Sequence, residues 1–186
     1  STVHPEFAFL PRKFKIAVSG SAEDRAVIRV HDVGLELAKG NDGELGFRVF
    51  VGGGLGRTPL IGQIVQEFLP RRHLLTYLEA LIRVYNRYGR RDNLYKARIK
   101  ILVNALGIDE FAREVEEEWQ HLKNSPSTLT DEEFERIAHH FAPPPYADLP
   151  NADATYTQAL ADDRAFAAWA RRSVHPHKAR GYAAVV

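Results

Sequence analysis

Cysteine and methionine are both absent from this sequence of 186 residues. Without cysteine, the chain cannot form disulfides, thiolate nucleophiles or zinc ribbons, and it cannot ligate an iron–sulfur cluster through sulfur. Long hydrophobic runs are absent too, because no apolar stretch approaches the ~20 residues that a membrane-spanning helix needs. No charged start followed by an apolar stretch opens the chain. We therefore expect a cytoplasmic protein with no membrane partner.

Charge is segregated along the chain, although the formal net charge is only +1. The stretch from Arg83 to Lys100 is basic, with Asp92 as its one acid, whereas the stretch from Asp109 to Glu135 is mainly acidic. Such separation predicts that the basic stretch faces an anion and that the acidic stretch faces water.

The order of sequence patterns predicts an α+β fold, a mixed β-sheet covered by helices. Alternating apolar residues indicate strands, and Gly40–Gly43 has the composition of a tight hairpin turn. Apolar residues at helical spacing follow, with capping residues at their ends. The predicted strands are 13–18, 33–38 and 46–51, with 61–69 ambiguous between strand and helix; a short helical turn is expected at 23–27, and helices at 71–88, 93–105, 109–123 and 130–140.

Three consecutive prolines, Pro143–Pro145, mark a predicted domain boundary because they remove backbone donors and hold the chain extended. We expect one domain over residues 1–142 and a polar linker over 143–164. We expect residues 165–186 to begin an incomplete second unit, with strands at 166–172 and 181–186. Its unpaired strands are expected to fray or to pair with another copy of the chain.

The segment Leu10–Lys15, with the sequence LPRKFK, concentrates cations at the start of the first predicted strand. In a strand, Lys13 and Lys15 project from one face and Phe14 from the other. Paired ammonium groups can hold a small anion and supply protons to it. The alternative is a solvated strand edge whose lysines prevent edge-to-edge pairing.

The loop Val51–Pro59 contains three consecutive glycines, Gly52, Gly53 and Gly54, directly after a predicted strand. Glycine lets backbone amides approach an anion closely, so the loop is expected to expose free amides. The sequence does not match the P-loop or the dinucleotide fingerprint, and an ordinary flexible turn is the alternative.

A third group of cations lies on or just before the second predicted helix. Lys96 and Lys100 share a helical face, while the guanidinium of Arg98 suits bidentate binding of a carboxylate. A solvated basic helix is the alternative. The histidine pairs His139–His140 and His175–His177 lack carboxylate partners at metal-binding spacing, and we expect no metal ligands in the chain.

These motifs, in this order, resemble the first cofactor-binding domain of the siroheme-dependent nitrite and sulfite reductases, over about residues 7–107 and more loosely to 122. The resemblance implies that Lys13 and Lys15 line the distal face of siroheme and contact the substrate. It also implies that the glycine loop lies along the cofactor and that Arg98 binds siroheme carboxylates. Further cofactor-binding candidates, with a weaker match, are Arg12, Arg57, Lys96 and Lys100.

Family membership would require parts that this sequence lacks. In the family, an upstream domain adds arginines, and four downstream cysteines hold a 4Fe-4S cluster. We therefore expect a segment of a larger enzyme, inactive and free of cofactor alone, whose residues 165–186 begin a second, ferredoxin-like half-domain. The resemblance implies reduction of sulfite to sulfide, or alternatively of nitrite to ammonia, with a ferredoxin or flavoprotein as electron donor. The remaining alternative is a non-enzymatic module that binds nucleic acid through Arg83–Lys100.

Overall fold

The computed structural model describes residues 5–21, 23–151 and 153–186, which form two compact units, one ending at Arg136 and the other Ile137–Val186. The helices in these ranges are all too short or too polar to cross a membrane. The strands are β1 (Ile16–Ser19), β2 (Val33–Lys39), β3 (Leu45–Val51), β4 (Gln63–Pro70), β5 (Val174–Pro176) and β6 (Ala183–Val185). The helices are α1 (Leu74–Tyr88), α2 (Ile99–Leu106), α3 (Ile108–Leu122), α4 (Asp131–His139), α5 (Ala154–Asp162) and α6 (Arg164–Ser173).

The first unit is built on a mixed sheet with the strand order β1-β2-β3-β4. β1 runs parallel to β2, and the other neighbours are antiparallel. The hairpin between β2 and β3 turns through Gly43, whose φ of 85° lies in the left-handed region that favours glycine. The predicted α+β fold, with its mixed sheet and covering helices, is confirmed.

The core lies between one face of this sheet and helices α1, α2 and α3. Val33 and Leu35 of β2 pair in register with Val51 and Val49 of β3, and all four side chains are buried. Gly34 and Phe50, which lie between them in the two strands, are buried as well, so both faces of the sheet are covered at this end. Burial of each such side chain stabilises the fold by about 1.5–3 kcal/mol relative to exposure, so this layer fixes the positions of the loops around it.

Two element boundaries in the first unit differ from prediction. β1 begins at Ile16 rather than at Lys13, because β2 begins only at Val33, opposite Ile16, and no strand backbone remains for the earlier residues to pair with. Asn93, the predicted cap of the second helix, caps a 3-10 turn instead by accepting a hydrogen bond from the Tyr95 amide. The second helix therefore starts later, at Ile99.

Most of the remaining predictions for the first unit agree with the structure, and one helical turn is misplaced. The ambiguous stretch 61–69 forms β4, and helices α1, α3 and α4 occupy their predicted places. The Thr130 hydroxyl accepts a hydrogen bond from the Glu133 amide, as the capping pattern predicts. The helical turn expected at 23–27 is instead a 3-10 turn at Ile28–Val30; residue 22 lies outside the described residues.

In the second unit, α5 lies within the stretch predicted as a polar linker, and α6 takes the place of the strand predicted at 166–172. The Asp153 carboxylate accepts a hydrogen bond from the Tyr156 amide, and the Asp163 carboxylate accepts two at the start of α6. These N-caps, together with the many alanines that follow, favour helices and account for α6 in place of the strand predicted at 166–172. The strand predicted at 181–186 is present as β6, paired with β5.

Candidate functional site

An open cleft of about 840 Å³ in the first unit brings together cations from distant parts of the sequence. Five of the predicted cofactor-binding residues lie in it: Arg12, Arg57, Lys96, Arg98 and Lys100. Arg90 is a sixth cation, and the remaining lining residues, Leu55, Thr58, Tyr95 and Ile101, include no acid. Because no carboxylate lines the cleft, its field favours an anionic ligand.

Lys13 and Lys15 do not line this cleft. They follow Arg12, which lines it, and precede β1. Both lysine side chains are exposed, and Phe14 between them is half-buried. Neither ammonium group has an ion-pair or hydrogen-bond partner among the described residues. The Lys15 backbone is fixed, since its amide donates to the Asp32 carboxylate at 2.9 Å and its carbonyl accepts from the Val33 amide at 3.1 Å.

The three glycines are buried, which differs from the predicted loop of free amides. The amides of Gly52 and Gly54 donate to the carbonyls of Asp32 and Leu60. A Cβ at Gly53 would lie 2.2 Å from the Arg29 carbonyl oxygen. Gly53 is therefore required for close packing of backbone on backbone, whereas a Cβ at Gly52 or Gly54 would meet the side chains of Val103 and Lys100. Contact of the three glycines with a cofactor remains a prediction.

The exposed part of this loop is the tip, residues 55–59, which Lys100 holds in place. Gly54 and Leu60 form an isolated antiparallel bridge that closes the tip. The Lys100 side chain is buried, with 7% of the residue exposed, and its Nζ donates to the carbonyls of Leu55 at 3.2 Å and Thr58 at 2.5 Å. Lys100 thus supplies positive charge to the cleft while fixing its wall.

Arg98 makes a buried, bidentate ion pair with a residue that the sequence analysis did not identify. Its Nε and Nη2 donate to the carboxylate of Asp32, at distances between 2.6 and 2.9 Å. Asp32 is completely buried, and charge-assisted bidentate pairs of this kind are geometrically specific. An acid directly before the apolar strand β2 was the only sequence signal for it.

The segment around Arg12 is anchored by a second residue that sequence reasoning assigned only to the core. The hydroxyl of Tyr85 on α1 lies 3.1 Å from the Arg12 carbonyl oxygen and 2.7 Å from that of Ala97, so it can donate to either. Arg12 in turn donates through Nη1 to the Leu94 carbonyl at 2.6 Å. Burial raises the pKa of Tyr85, so the hydroxyl stays protonated as a donor.

The basic stretch Arg83–Lys100 does not form a single surface of free cations. Arg83 and Arg87 both pair with Glu118 on α3, and Arg90 pairs with Asp92. Arg91 donates to the carbonyls of Phe9 and Asn86 rather than to an acid. Within the described ranges, Lys96 is the one cation of this stretch whose side chain has no hydrogen-bond or ion-pair partner, and it lines the cleft.

The described part of the chain shows no group of three or more histidine or acidic residues that could hold a metal ion. His139 and His140 are exposed at the end of α4, and His177 packs against Tyr146 with ring centroids 5.4 Å apart.

Known proteins are similar to the part of the chain that contains the cleft. The family model for the nitrite and sulphite reductase 4Fe-4S domain matches residues 1–123. The sulfite reductase [NADPH] hemoprotein beta-component of Chromohalobacter salexigens is 40% identical over 116 residues, covering 58% of this chain and 20% of that protein. The ferredoxin--nitrite reductase of Leptolyngbya laminosa is 32% identical over 119 residues, covering 63% of this chain and 23% of that protein.

A solved structure agrees with these sequence matches. The structure of the Mycobacterium tuberculosis NirA protein superposes with a TM-score of 0.57 at 32% identity, covering 63% of this chain and 21% of that one. The chain thus spans about a fifth of the length of the relatives it matches. The family is one of oxidoreductases that depend on siroheme and a 4Fe-4S cluster. From the matched residues 1–123 and the shared fold, this chain belongs to the nitrite and sulphite reductase family.

Proposed function

We propose that the chain is a segment of a larger siroheme reductase and forms the cationic wall against which the acidic periphery of siroheme binds. The observation that carries this proposal is the cleft, lined by Arg12, Arg57, Lys96 and three further cations with no acid among them. A cofactor rich in carboxylates fits such a set, because guanidinium groups bind carboxylates bidentately and ammonium groups bind them as point charges.

Lys13 and Lys15 hold the substrate oxyanion and deliver protons to it in this proposal. Their ammonium groups are exposed, unpaired among the described residues and next in sequence to Arg12 of the cleft. Fixed positive charge at a developing negative charge lowers the barrier to reaction. When bound, siroheme and the 4Fe-4S cluster supply the electrons. Sulfite, reduced to sulfide, is the proposed substrate, and nitrite, reduced to ammonia, is the alternative.

The remaining parts of the enzyme come from outside this chain. The sequence has no cysteine to hold the cluster, so the cluster ligands belong to another segment of the same protein. The related sulfite and nitrite reductases are named for NADPH or ferredoxin, which supports a ferredoxin or a flavoprotein as electron donor. By itself the chain is proposed to be inactive and to bind neither cofactor.

The nucleic-acid alternative loses support because most cations of Arg83–Lys100 already have partners. Arg83, Arg87, Arg90 and Arg98 are ion-paired with acids of the same chain. Nucleic-acid phosphates would have to compete with these acids along the stretch, whereas the cleft holds Arg57 and Lys96, whose side chains have no polar partner among the described residues.

Turnover measurements on the full-length protein test the proposal. With a chemical reductant supplying electrons, we expect reduction of both oxyanions, with a higher kcat/KM for sulfite. The isolated chain, assayed in parallel, should show no turnover and no visible absorption. A full-length protein that reduces neither oxyanion contradicts the proposal, and a higher kcat/KM for nitrite replaces the proposed substrate by the alternative.

A further inference from the structure

Asp32 touches each of the groups of residues that the proposed site requires. Its carboxylate accepts hydrogen bonds from the Lys15 amide and from the Arg98 guanidinium. Its backbone carbonyl accepts a hydrogen bond from the amide of Gly52, the first glycine of the loop, at 3.0 Å. The lysine segment, the glycine loop and the arginine of the cleft are therefore joined through a single residue.

The side chain of Asp32 takes the place of a backbone acceptor at the end of the sheet. Ile16 is the first residue of β1 and pairs with Val33. One residue earlier, the Val33 amide donates to the Lys15 carbonyl, while the Lys15 amide donates to the Asp32 carboxylate at 2.9 Å and to no other acceptor among the described residues. Asp32 thereby extends the β1–β2 ladder by one residue and fixes the backbone direction at which Lys15 leaves the sheet.

The same carboxylate orients Arg98. Both oxygens accept from the guanidinium, which restricts its rotation and leaves Nη1 without a hydrogen bond to any described residue. The Arg98 side chain is 22% exposed and lines the cleft, whereas Asp32 is fully buried behind it. A buried acid pairs with the inner edge of the arginine, so the outer edge remains available to an anionic ligand.

We infer that Asp32 is the positioning residue of the site, which sets the relative placement of the substrate-binding Lys15 and the cofactor-binding Arg98. This inference rests on the proposed function. Catalysis is sensitive to such placement, since a displacement of about 1 Å can cost roughly 10²-fold in rate. A purely structural ion pair would instead affect stability and leave the chemistry of correctly folded molecules unchanged.

The test uses the full-length protein with Asp32→Asn and Asp32→Ala. Asparagine keeps an acceptor for the Lys15 amide but loses the charge that binds Arg98, and alanine loses both. We expect a lower siroheme content in both variants, measured by visible absorption. Turnover per bound siroheme should fall about threefold or more for Asn, and roughly tenfold or more for Ala because Lys15 is then also released.

Glu118→Gln is the matched control. Glu118 is largely buried and bridges Arg83 and Arg87 between α1 and α3, away from the cleft. We expect this variant to lower the melting temperature while turnover per siroheme stays within twofold of wild type. If Asp32→Ala fails to fold, the turnover of Asp32→Asn alone tests the inference.

Turnover per siroheme in Asp32→Asn within twofold of wild type, with normal siroheme content, would overturn the inference. A wild-type protein without siroheme or activity would instead contradict the proposed function, so the two failures are distinguishable.

Discussion

Lys13 and Lys15 are exposed cations without partners in the described part of the chain, next to a cleft whose other cations are mostly engaged. Replacing either by glutamine in the full-length protein should lower kcat by roughly 10² or more, because a proton donor and a fixed charge are lost together. Siroheme content should stay near that of wild type, since neither side chain lines the cleft. Steady-state kinetics and visible absorption measure the two quantities.

Lys39→Gln is the control for this prediction, because Lys39 is an exposed lysine at the end of β2. It should leave kcat unchanged. Full turnover in both Lys13→Gln and Lys15→Gln would return these residues to the role of solvated lysines at a strand edge.

His73 lies at the start of α1 and is buried. We expect it to make the free energy of unfolding fall in mild acid. The residue is 8% exposed, its Nδ1 has no hydrogen-bond partner among the described residues, and its ring packs edge-on against Trp119. Burial lowers the pKa of His73, and the nearby charges of Arg72 and Lys123 lower it further. The unfolded chain therefore binds a proton first, at about pH 6.5, and the free energy of unfolding falls as the pH drops below this value.

Urea denaturation of the purified chain between pH 7 and pH 5 measures this effect. His73→Phe should show a smaller decrease in the free energy of unfolding over that range than wild type. Thr76→Val is the control, because Thr76 accepts a hydrogen bond from Trp119 in the same cluster but does not titrate. It should lower stability by a similar amount at every pH. Equal pH dependence in wild type and His73→Phe would contradict the assignment.

At the scale of the elements, the loop tip 55–59 depends on Lys100. Its buried Nζ donates to two carbonyls of the tip, and hydrogen bonds to charged groups contribute about 1.5–3 kcal/mol each. We expect Lys100→Met to lower the free energy of unfolding by roughly 1–3 kcal/mol, with faster hydrogen exchange at Leu60, whose amide closes the tip.

Lys96→Met removes the same charge from the same cleft without removing a hydrogen bond to the loop. Its effect should stay below about 0.5 kcal/mol, as is usual for surface substitutions. Equal destabilisation by the two substitutions would show that Lys100 acts through cleft charge and does not support the loop.

Local sequence patterns predicted the elements that are determined by residues close to one another in the sequence. The hairpin at Gly43 and the amphipathic helices α1 and α3 could be placed because turn chemistry and helical spacing act within a few residues. The sequence analysis predicted a strand at 166–172, whereas the Asp163 N-cap begins the helix α6 there. In short segments, an acidic N-cap residue is as informative about a helix as the spacing of apolar residues.

The candidate site could be predicted only in part, because its geometry depends on contacts between distant residues. The cations Arg12, Arg57, Lys96, Arg98 and Lys100 were identified from motifs, and the structure brings them to one cleft. The pairing of Asp32 with Arg98 spans 66 positions, and an acid directly before β2 does not indicate which residue it pairs with. The burial of the glycine loop likewise depends on the Arg29 carbonyl, which no spacing rule could place.

At the scale of the whole molecule, the family match ends at residue 123, so α5, α6 and the β5–β6 pair lie outside it. The predicted domain limits at 142 and 164, and the assignment of residues 165–186 to a second half-domain, remain predictions. The unit Ile137–Val186 contains its own helices and a small sheet. The cofactor-binding role is proposed for the first unit, which holds the cleft.

The siroheme content of the full-length protein, measured by visible absorption, tests the central claim that this cationic cleft binds the cofactor. We predict stoichiometric siroheme in wild type and loss of most of it in the double variant Arg57→Ser/Lys96→Ser, because both cations line the cleft. The double variant Lys39→Ser/Arg48→Ser removes equal charge from the sheet, where Arg48 pairs with Glu36, and should keep its siroheme. Full siroheme content in the cleft variant, or none in wild type supplied with siroheme, would contradict the account.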